Sequence, residues 1–245
     1  MKRILSFLAM TAMILAVSCN KDDNGGKDKK DKGGKDSYEQ PIKIDGNFDD
    51  WAKLDATKIA TAKCEADATK TALKLVKVYA DAVFVFVYFE WDKDQISFEK
   101  DVEHVPFHIY INGDGNSATG GFGDQWSDAC SDTCFEGFLT DGSSIVSYDP
   151  GVYSWQGEVN GSGWEWSDPA ILDAGSGICA GAGVEGKYEL LITRELYPVG
   201  KLADNFSIGF DIQQGWNSVG ILPNAAPTDN NPAGTAPSLQ VVTVK

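Results

Sequence analysis

The 245-residue chain carries 36 acidic against 21 basic side chains, a formal net charge of −15, and 42% of its residues are hydrophobic. That balance excludes nucleic acid as a partner, because binding it requires a basic footprint that displaces counterions, and it disfavours acidic polysaccharides on the same Coulombic ground. Neutral ligands and divalent cations are compatible with it.

In chain order, the first element is a processing signal. Lys2 and Arg3 open it, Ile4 to Val17 is almost uninterruptedly apolar, and Ala16-Val17-Ser18 puts small residues before Cys19, as a secretory cleavage site requires. The apolar run falls short of the about 20 residues that a membrane-crossing helix needs, so residues 1–18 read as a signal peptide. The stretch resembles the lipobox of bacterial lipoproteins, which implies that Cys19 becomes the acylated first residue of the mature chain, with membrane attachment through that lipid. More than one acyl chain makes such attachment durable, at about 0.8 kcal/mol per buried methylene. Residues 20–38 hold six lysines and five aspartates and nothing large and apolar before Tyr38. Segment 19–38 is therefore expected to be a lipidated cysteine followed by a flexible charged linker, unable to offset its ordering entropy. Lys21-Asp22-Asp23 resembles a short signal that sends some lipoproteins to the outer face of the outer membrane, although a plain solubilising linker explains the same residues. The expected location is the outer membrane, with the cell surface preferred over the periplasmic face.

Residues 39–245 retain 13 basic and 31 acidic side chains and suit one β-sandwich in length. Leu73 to Val78, the turn at Tyr79 to Ala82, and Val83 to Trp91 form a hairpin pattern rich in β-branched and aromatic residues. Further strands are expected at Pro106 to Asn112, Ser143 to Tyr148, Lys187 to Thr193, Phe206 to Ile212 and Leu239 to Val244, separated by Gly, Asp, Asn and Ser clusters that punctuate turns. Arg194 to Lys201 is the best short helical candidate. The fold class is all-β, a single-domain antiparallel β-sandwich or jelly roll.

Beyond Cys19 there are four cysteines, Cys64, Cys130, Cys134 and Cys179. In an oxidising compartment an even set favours two disulfides, with three pairings open and Cys130 with Cys134 preferred. A four-cysteine zinc site is the competing arrangement, with Cys130-Ser-Asp-Thr-Cys134 its one close pair.

Ile42-Lys-Ile-Asp-Gly-Asn-Phe-Asp-Asp-Trp51, Phe89-Glu-Trp-Asp92, Ile109 to Gly120 and Gly186-Lys-Tyr-Glu-Leu-Leu-Ile192 follow one another in the chain. In that order they resemble a family 9 carbohydrate-binding module over most of the domain. The resemblance implies a β-sandwich that grips sugars between tryptophans and carries structural calcium.

The residues themselves allow such a site. Pyranose faces stack on indoles while amides and carboxylates take the hydroxyls. Trp126 lies in Gly123-Asp-Gln-Trp-Ser-Asp128, Trp216 beside Gln214 and Asn217, and Trp91 between Glu90 and Asp92. Trp91 and Trp216 form the expected clamp, Trp51 reads as a core plug, and Trp155, Trp164 and Trp166 do not separate into packing and binding. Core packing is the competing explanation for each tryptophan. For a structural Ca²⁺, Asn112, Asp114 and Asn116 alternate in a Gly-rich loop and Asp124 lies across it, an oxygen set that a hard cation accepts. An Asx-rich hairpin turn explains the same residues without metal, and no EF-hand is present because Ser117 and Gly123 stand at its key positions.

No catalytic motif is found, neither G-x-S-x-G nor H-E-x-x-H nor a phosphate-binding Gly loop. His104 and His108 lie about 13 Å apart on an extended strand and do not share a metal. Haem is disfavoured because Met1, Met10 and Met13 all leave with the signal. The expectation is a non-enzyme that binds a neutral poly- or oligosaccharide by stacking. The alternatives are a protein-binding adhesive lipoprotein using the proline-studded stretch Leu222 to Ser238, or a glycoside hydrolase built on an acidic pair.

Overall fold

Strand propensity and alternation build two antiparallel sheets packed face to face, a β-sandwich. The computed structural model describes residues 38–97, 105–122, 125–128, 130–139, 151–171, 179–184, 186–196 and 200–245. The expected signal peptide, Cys19, the expected linker up to residue 37 and the strand expected at 143–148 lie outside them. One compact unit runs from Gln40 to Lys245.

The five-stranded sheet contains β1 (Ala60–Lys63), β2 (Leu73–Ala80), β3 (Phe84–Trp91), β8 (Cys179–Val184) and β9 (Lys187–Thr193), in the order β1-β2-β3-β9-β8. The seven-stranded sheet contains β4 (Val105–Asn112), β5 (Thr133–Leu139), β6 (Gly151–Ser154), β7 (Ala170–Ile171), β12 (Asn205–Gln214), β13 (Asn217–Leu222) and β14 (Leu239–Val242). Its order is β13-β12-β4-β5-β6-β7, and β14 pairs with the first half of β12. The hairpin of β2 and β3 and the strands β4, β9, β12 and β14 fall where the sequence placed them.

Arg194 to Lys201 does not form the expected helix. Glu195–Leu196 (β10) and Gly200–Lys201 (β11) pair as a short hairpin instead. The reason lies at Arg194, whose guanidinium is buried and donates to the carbonyls of Leu202 and Ala203 at 2.8 Å each. Those bonds fold the chain back on itself at the distance a hairpin needs.

Inward-facing residues of both sheets make one core, with Val76, Val85, Val87, Phe89, Leu190 and Ile192 of the first meeting Phe107, Ile109, Phe135, Phe206, Phe210 and Ile212 of the second. The outer face of the five-stranded sheet is covered as well. Ile42 and Trp51 pack there on Phe86, Tyr88 and Leu191, which explains why β3 is apolar on both faces. Glu189 fixes this cover: its carboxylate accepts from the amides of Asp45 (3.1 Å) and Gly46 (3.0 Å) and from Trp51 Nε1 (3.1 Å). Two of the sequence motifs, Ile-Asp-Gly and Lys-Tyr-Glu, therefore meet in space, and Trp51 is the core plug that was expected.

The expected disulfides are not formed among the described residues. Cys64, Cys130 and Cys134 are free thiols, and the side chain of Cys179 lies outside the description. Cys130 and Cys134 sit on chain that runs extended through the Gly121–Ser131 bridge into β5. Four residues of such chain span about 13 Å, beyond the roughly 7 Å that a disulfide permits between Cα atoms. Cys130 Sγ lies 3.2 Å from Asn160 Oδ1, and the Cys134 thiol is buried beside the Tyr110 hydroxyl.

Leu222 to Ser238 is a tied crossing. Asn224 bridges to Thr235, the Ser127 amide donates to Ala236 O at 3.1 Å, and the Ser238 amide donates to Asp128 at 2.6 Å. It delivers β14 to the sheet.

Candidate ligand-binding face

The outer face of the seven-stranded sheet is polar and aromatic, unlike the apolar outer face of its partner. Alternation along β4 sends Phe107, Ile109 and Ile111 into the core and His108 and Tyr110 outward. Register then sets their neighbours. Asp211 of β12 and Glu136 of β5 stand on either side of His108, while Gly209 and Cys134 flank Tyr110 and Tyr153 lies beyond Cys134.

In the first row His108 Nε2 lies 2.8 Å from Glu136 Oε2, and Tyr153 donates its hydroxyl to Oε1 at 2.9 Å. Burial pushes the Glu136 carboxyl up, but the His108 and Tyr153 bonds outweigh it and hold the group below its ordinary value. The ionised form of Glu136 is thereby favoured beside His108 Nε2. Burial raises Tyr153, and its bond to that carboxylate adds to the rise. Asp211, about 1% exposed, accepts on Oδ2 from Gln213 Nε2 and Ser218 Oγ at 2.7 Å each. Burial nevertheless pushes its carboxyl above the ordinary aspartate range. His108 Nδ1 and Asp211 Oδ1 are buried and have no hydrogen-bond partner among the described residues.

Aromatic side chains from two segments cover this face. Phe122 stacks on Tyr110 with centroids 4.6 Å apart and planes at 13°, Trp166 lies 5.9 Å from both, and Trp155 packs edge-on against Trp166 at 5.1 Å. Trp126 lies against Gly209, where a side chain would have no room. Trp164 sits over the row, 5.4 Å from His108 and 5.7 Å from Tyr153, and stays 52% exposed.

A second exposed indole stands at the end of the same face. Trp216 is 63% exposed and touches Phe138 edge-on at 6.3 Å; Phe138 lies one outward position beyond Glu136 on β5. Trp216 occupies the turn between β12 and β13 with φ of 65°, next to Gly215 at 56°. A bulky side chain in this left-handed region is strained.

Of the five sugar-contact candidates named from sequence, the structure displays Trp216. Trp91 and Trp126 are buried, Trp91 among the inter-sheet core and Trp126 with its Nε1 donating to Pro223 O at 3.1 Å. Gln214 is committed to Ser97, donating to its carbonyl at 3.0 Å and accepting from its amide at 2.9 Å. Asn217 donates to Gly215 O at 3.1 Å and closes the turn. His108, Glu136, Tyr153, Asp211 and Trp164 are the additions, and the one advance signal for them was the alternation of His108 and Tyr110 along β4.

The calcium candidates are arranged as Asx turns. Asp114 accepts from the Asn116 amide (2.8 Å) and the Thr119 hydroxyl (2.9 Å), and Asn116 accepts from the Ala118 amide (3.0 Å). Asn112 ends β4 with its Oδ1 buried, and Asp124 lies outside the described residues. No group of three or more His, Cys, Asp or Glu among the described residues could hold a metal. The side-chain oxygens of Asp114 and Asn116 are thus turned onto the loop's own backbone and hydroxyl.

Comparison with protein-family models gives no match for the chain, and comparison with curated proteins gives none either.

Proposed function

We propose that the outer face of the seven-stranded sheet binds a neutral oligo- or polysaccharide without cleaving it, with Trp216 and Trp164 as stacking platforms. The observation that carries this reading is Trp216. Its indole is exposed on a strained backbone, makes one edge contact among the described residues, and returns little packing there for the strain. Such expenditure is characteristic of a displayed functional group, and an exposed indole suits a pyranose face. Trp164 on the same face, with carboxylates and hydroxyls beneath it, supplies the aromatic and polar mixture that sugar recognition uses. The resemblance to family 9 carbohydrate-binding modules supports the same reading, as does the acidic domain, which suits a neutral ligand. Attachment at Cys19 would hold the protein as an outer-membrane lipoprotein, preferably at the cell surface.

A glycan-array screen of wild type, Trp216→Ala and Trp164→Ala tests the proposal. Specific signals that weaken in both variants support it. A blank array from folded protein overturns it. Release of a chromogenic group from an aryl glycoside, lost in Glu136→Gln or Asp211→Asn, would overturn the non-catalytic part.

A further inference from the structure

Beside the edge strand β13 lies a cavity of about 70 Å³ that the stacking platforms leave unused. Residues 68–70, Gln125, the end of β13 at Ile221, and the crossing at 224–225 and 233–235 enclose it. It has room for a few waters or for one small substituent, not for a whole sugar ring.

Its walls are tied together. Asn224 accepts from the Glu65 amide at 3.0 Å and donates to Lys70 O at 3.5 Å. The Ile221 amide reaches the same carbonyl at 3.4 Å, and the Ala225 amide donates to Gly234 O at 2.9 Å. Gly234 has φ of 65°, and a Cβ there would stand 2.5 Å from Ala225 O, so the two arms of the crossing approach as closely as glycine permits.

The cavity adjoins the candidate face. Ile221 packs in the outer cluster with Tyr110 and Trp126, and Trp126 bonds to Pro223 O, one residue before Asn224. Five residues of extended chain, about 17 Å, separate Ile221 from Trp216, so an oligosaccharide of several rings would reach both.

The wall specifies the group. Ala68, Ala225, Ala233 and Ile221 make a small apolar side, suited to a methyl. Gln125 and Lys70 supply the polar side. Ser218 Oγ gives its hydrogen to Asp211 Oδ2, so it accepts from Gln125 Nε2 at 3.3 Å, which leaves Gln125 Oε1 as an acceptor. Lys70 is the one ionisable residue of the wall and offers a donor. It lies within electrostatic reach of the buried Asp211, and the domain as a whole is acidic, so an added carboxylate is disfavoured. A neutral group that accepts one hydrogen bond, donates one and ends in a methyl meets all of these walls.

We infer that this cavity is a subsite for the acetamido group of an N-acetylated amino sugar, with Lys70 donating to its carbonyl oxygen, Gln125 Oε1 accepting its N–H, and the alanines enclosing its methyl. This rests on the saccharide reading of the face and narrows its ligand from neutral glycans at large to glycans that carry acetamido groups.

Calorimetric titration with two tetrasaccharides tests it: the β-1,4-linked N-acetylglucosamine tetramer and cellotetraose, which lacks the acetamido groups. Wild type should bind the acetylated tetramer about tenfold more tightly, as one net hydrogen bond and a buried methyl imply. Ala233→Leu fills the cavity from an exposed position and should bring the two affinities together. Lys70→Met, which keeps the stem without the donor, should lower the preference severalfold. Both variants are checked for folding by their thermal transitions, and Ala233→Leu alone decides if Lys70→Met does not fold. Trp216→Ala should weaken both ligands alike and leave their ratio unchanged. Equal affinities in wild type, or a preference that survives Ala233→Leu, would overturn the subsite while keeping the saccharide reading. Binding of neither tetramer would also overturn the subsite, and the acetamido-free glycans of the array then decide the saccharide reading by themselves.

Discussion

Trp216 sets stability against display within one residue. The left-handed backbone costs an L-residue about 1–2 kcal/mol, and glycine removes that cost. Trp216→Gly should therefore raise stability by about 1 kcal/mol while weakening glycan binding by about tenfold or more. Thermal unfolding and calorimetric titration of the same variant check both halves, and a less stable variant would mean that the indole is packing and not displayed. Glu189 poses a different problem, a buried carboxyl whose burial raises it above its ordinary value despite the bonds from Gly46, Trp51 and Asp45. A raised native value means that the folded state keeps a proton which the unfolded chain releases. The contribution of this group is then full below the ordinary glutamate range and is lost as pH rises through the native value. Stability of wild type relative to Glu189→Gln should fall across that interval, measured by denaturant titration at stepped pH. A constant difference would assign Glu189 an unperturbed carboxylate.

At the scale of elements, segment 42–59 behaves as a strap over the five-stranded sheet. Its 3-10 turn Phe48–Ala52 is capped by Asn47 and buries Trp51. Trp51→Ala should cost about 3–5 kcal/mol, read from the denaturation midpoint, and a loss under 1 kcal/mol would show that the strap contributes little. Of the strap, Trp51 alone was legible in the sequence, as a core plug, while the cover that it forms with Ile42 was not. Strands β2, β3, β4, β9, β12 and β14 were legible as runs of β-branched and aromatic residues. Strand β5 was hidden because Glu136 and Gly137 interrupt its apolar alternation and Cys134 suggested a disulfide. The β10–β11 hairpin was hidden because it depends on where the buried Arg194 finds carbonyls. The site was least legible. His108 and Trp164 were visible as residue types, but the placement of Asp211 and Glu136 beside His108 comes from pairing between distant strands, which no local pattern encodes.

At the scale of the whole molecule, the sandwich is held by apolar burial and hydrogen bonding, with neither a disulfide nor a metal cluster among the described residues. Unfolding temperature with and without chelator tests the Asn112–Asn116 loop, because removing a bound cation removes its ligand-linked stabilisation, and an unchanged value would leave the loop an Asx turn alone. A lowered value restored by Ca²⁺ would show that the Asn112–Asn116 loop holds a cation after all. The strap and the candidate face lie on opposite sides of the sandwich, because Ile42 enters against the outer surface of the five-stranded sheet while His108 and Trp164 occupy the outer surface of the other. Mechanical load applied through the chain before Gln40 would therefore meet Ile42, Trp51 and the Glu189 clasp first. Under shear, the strap would peel as a sacrificial fastening while the two sheets and the face bearing Trp164 and Trp216 kept their grip.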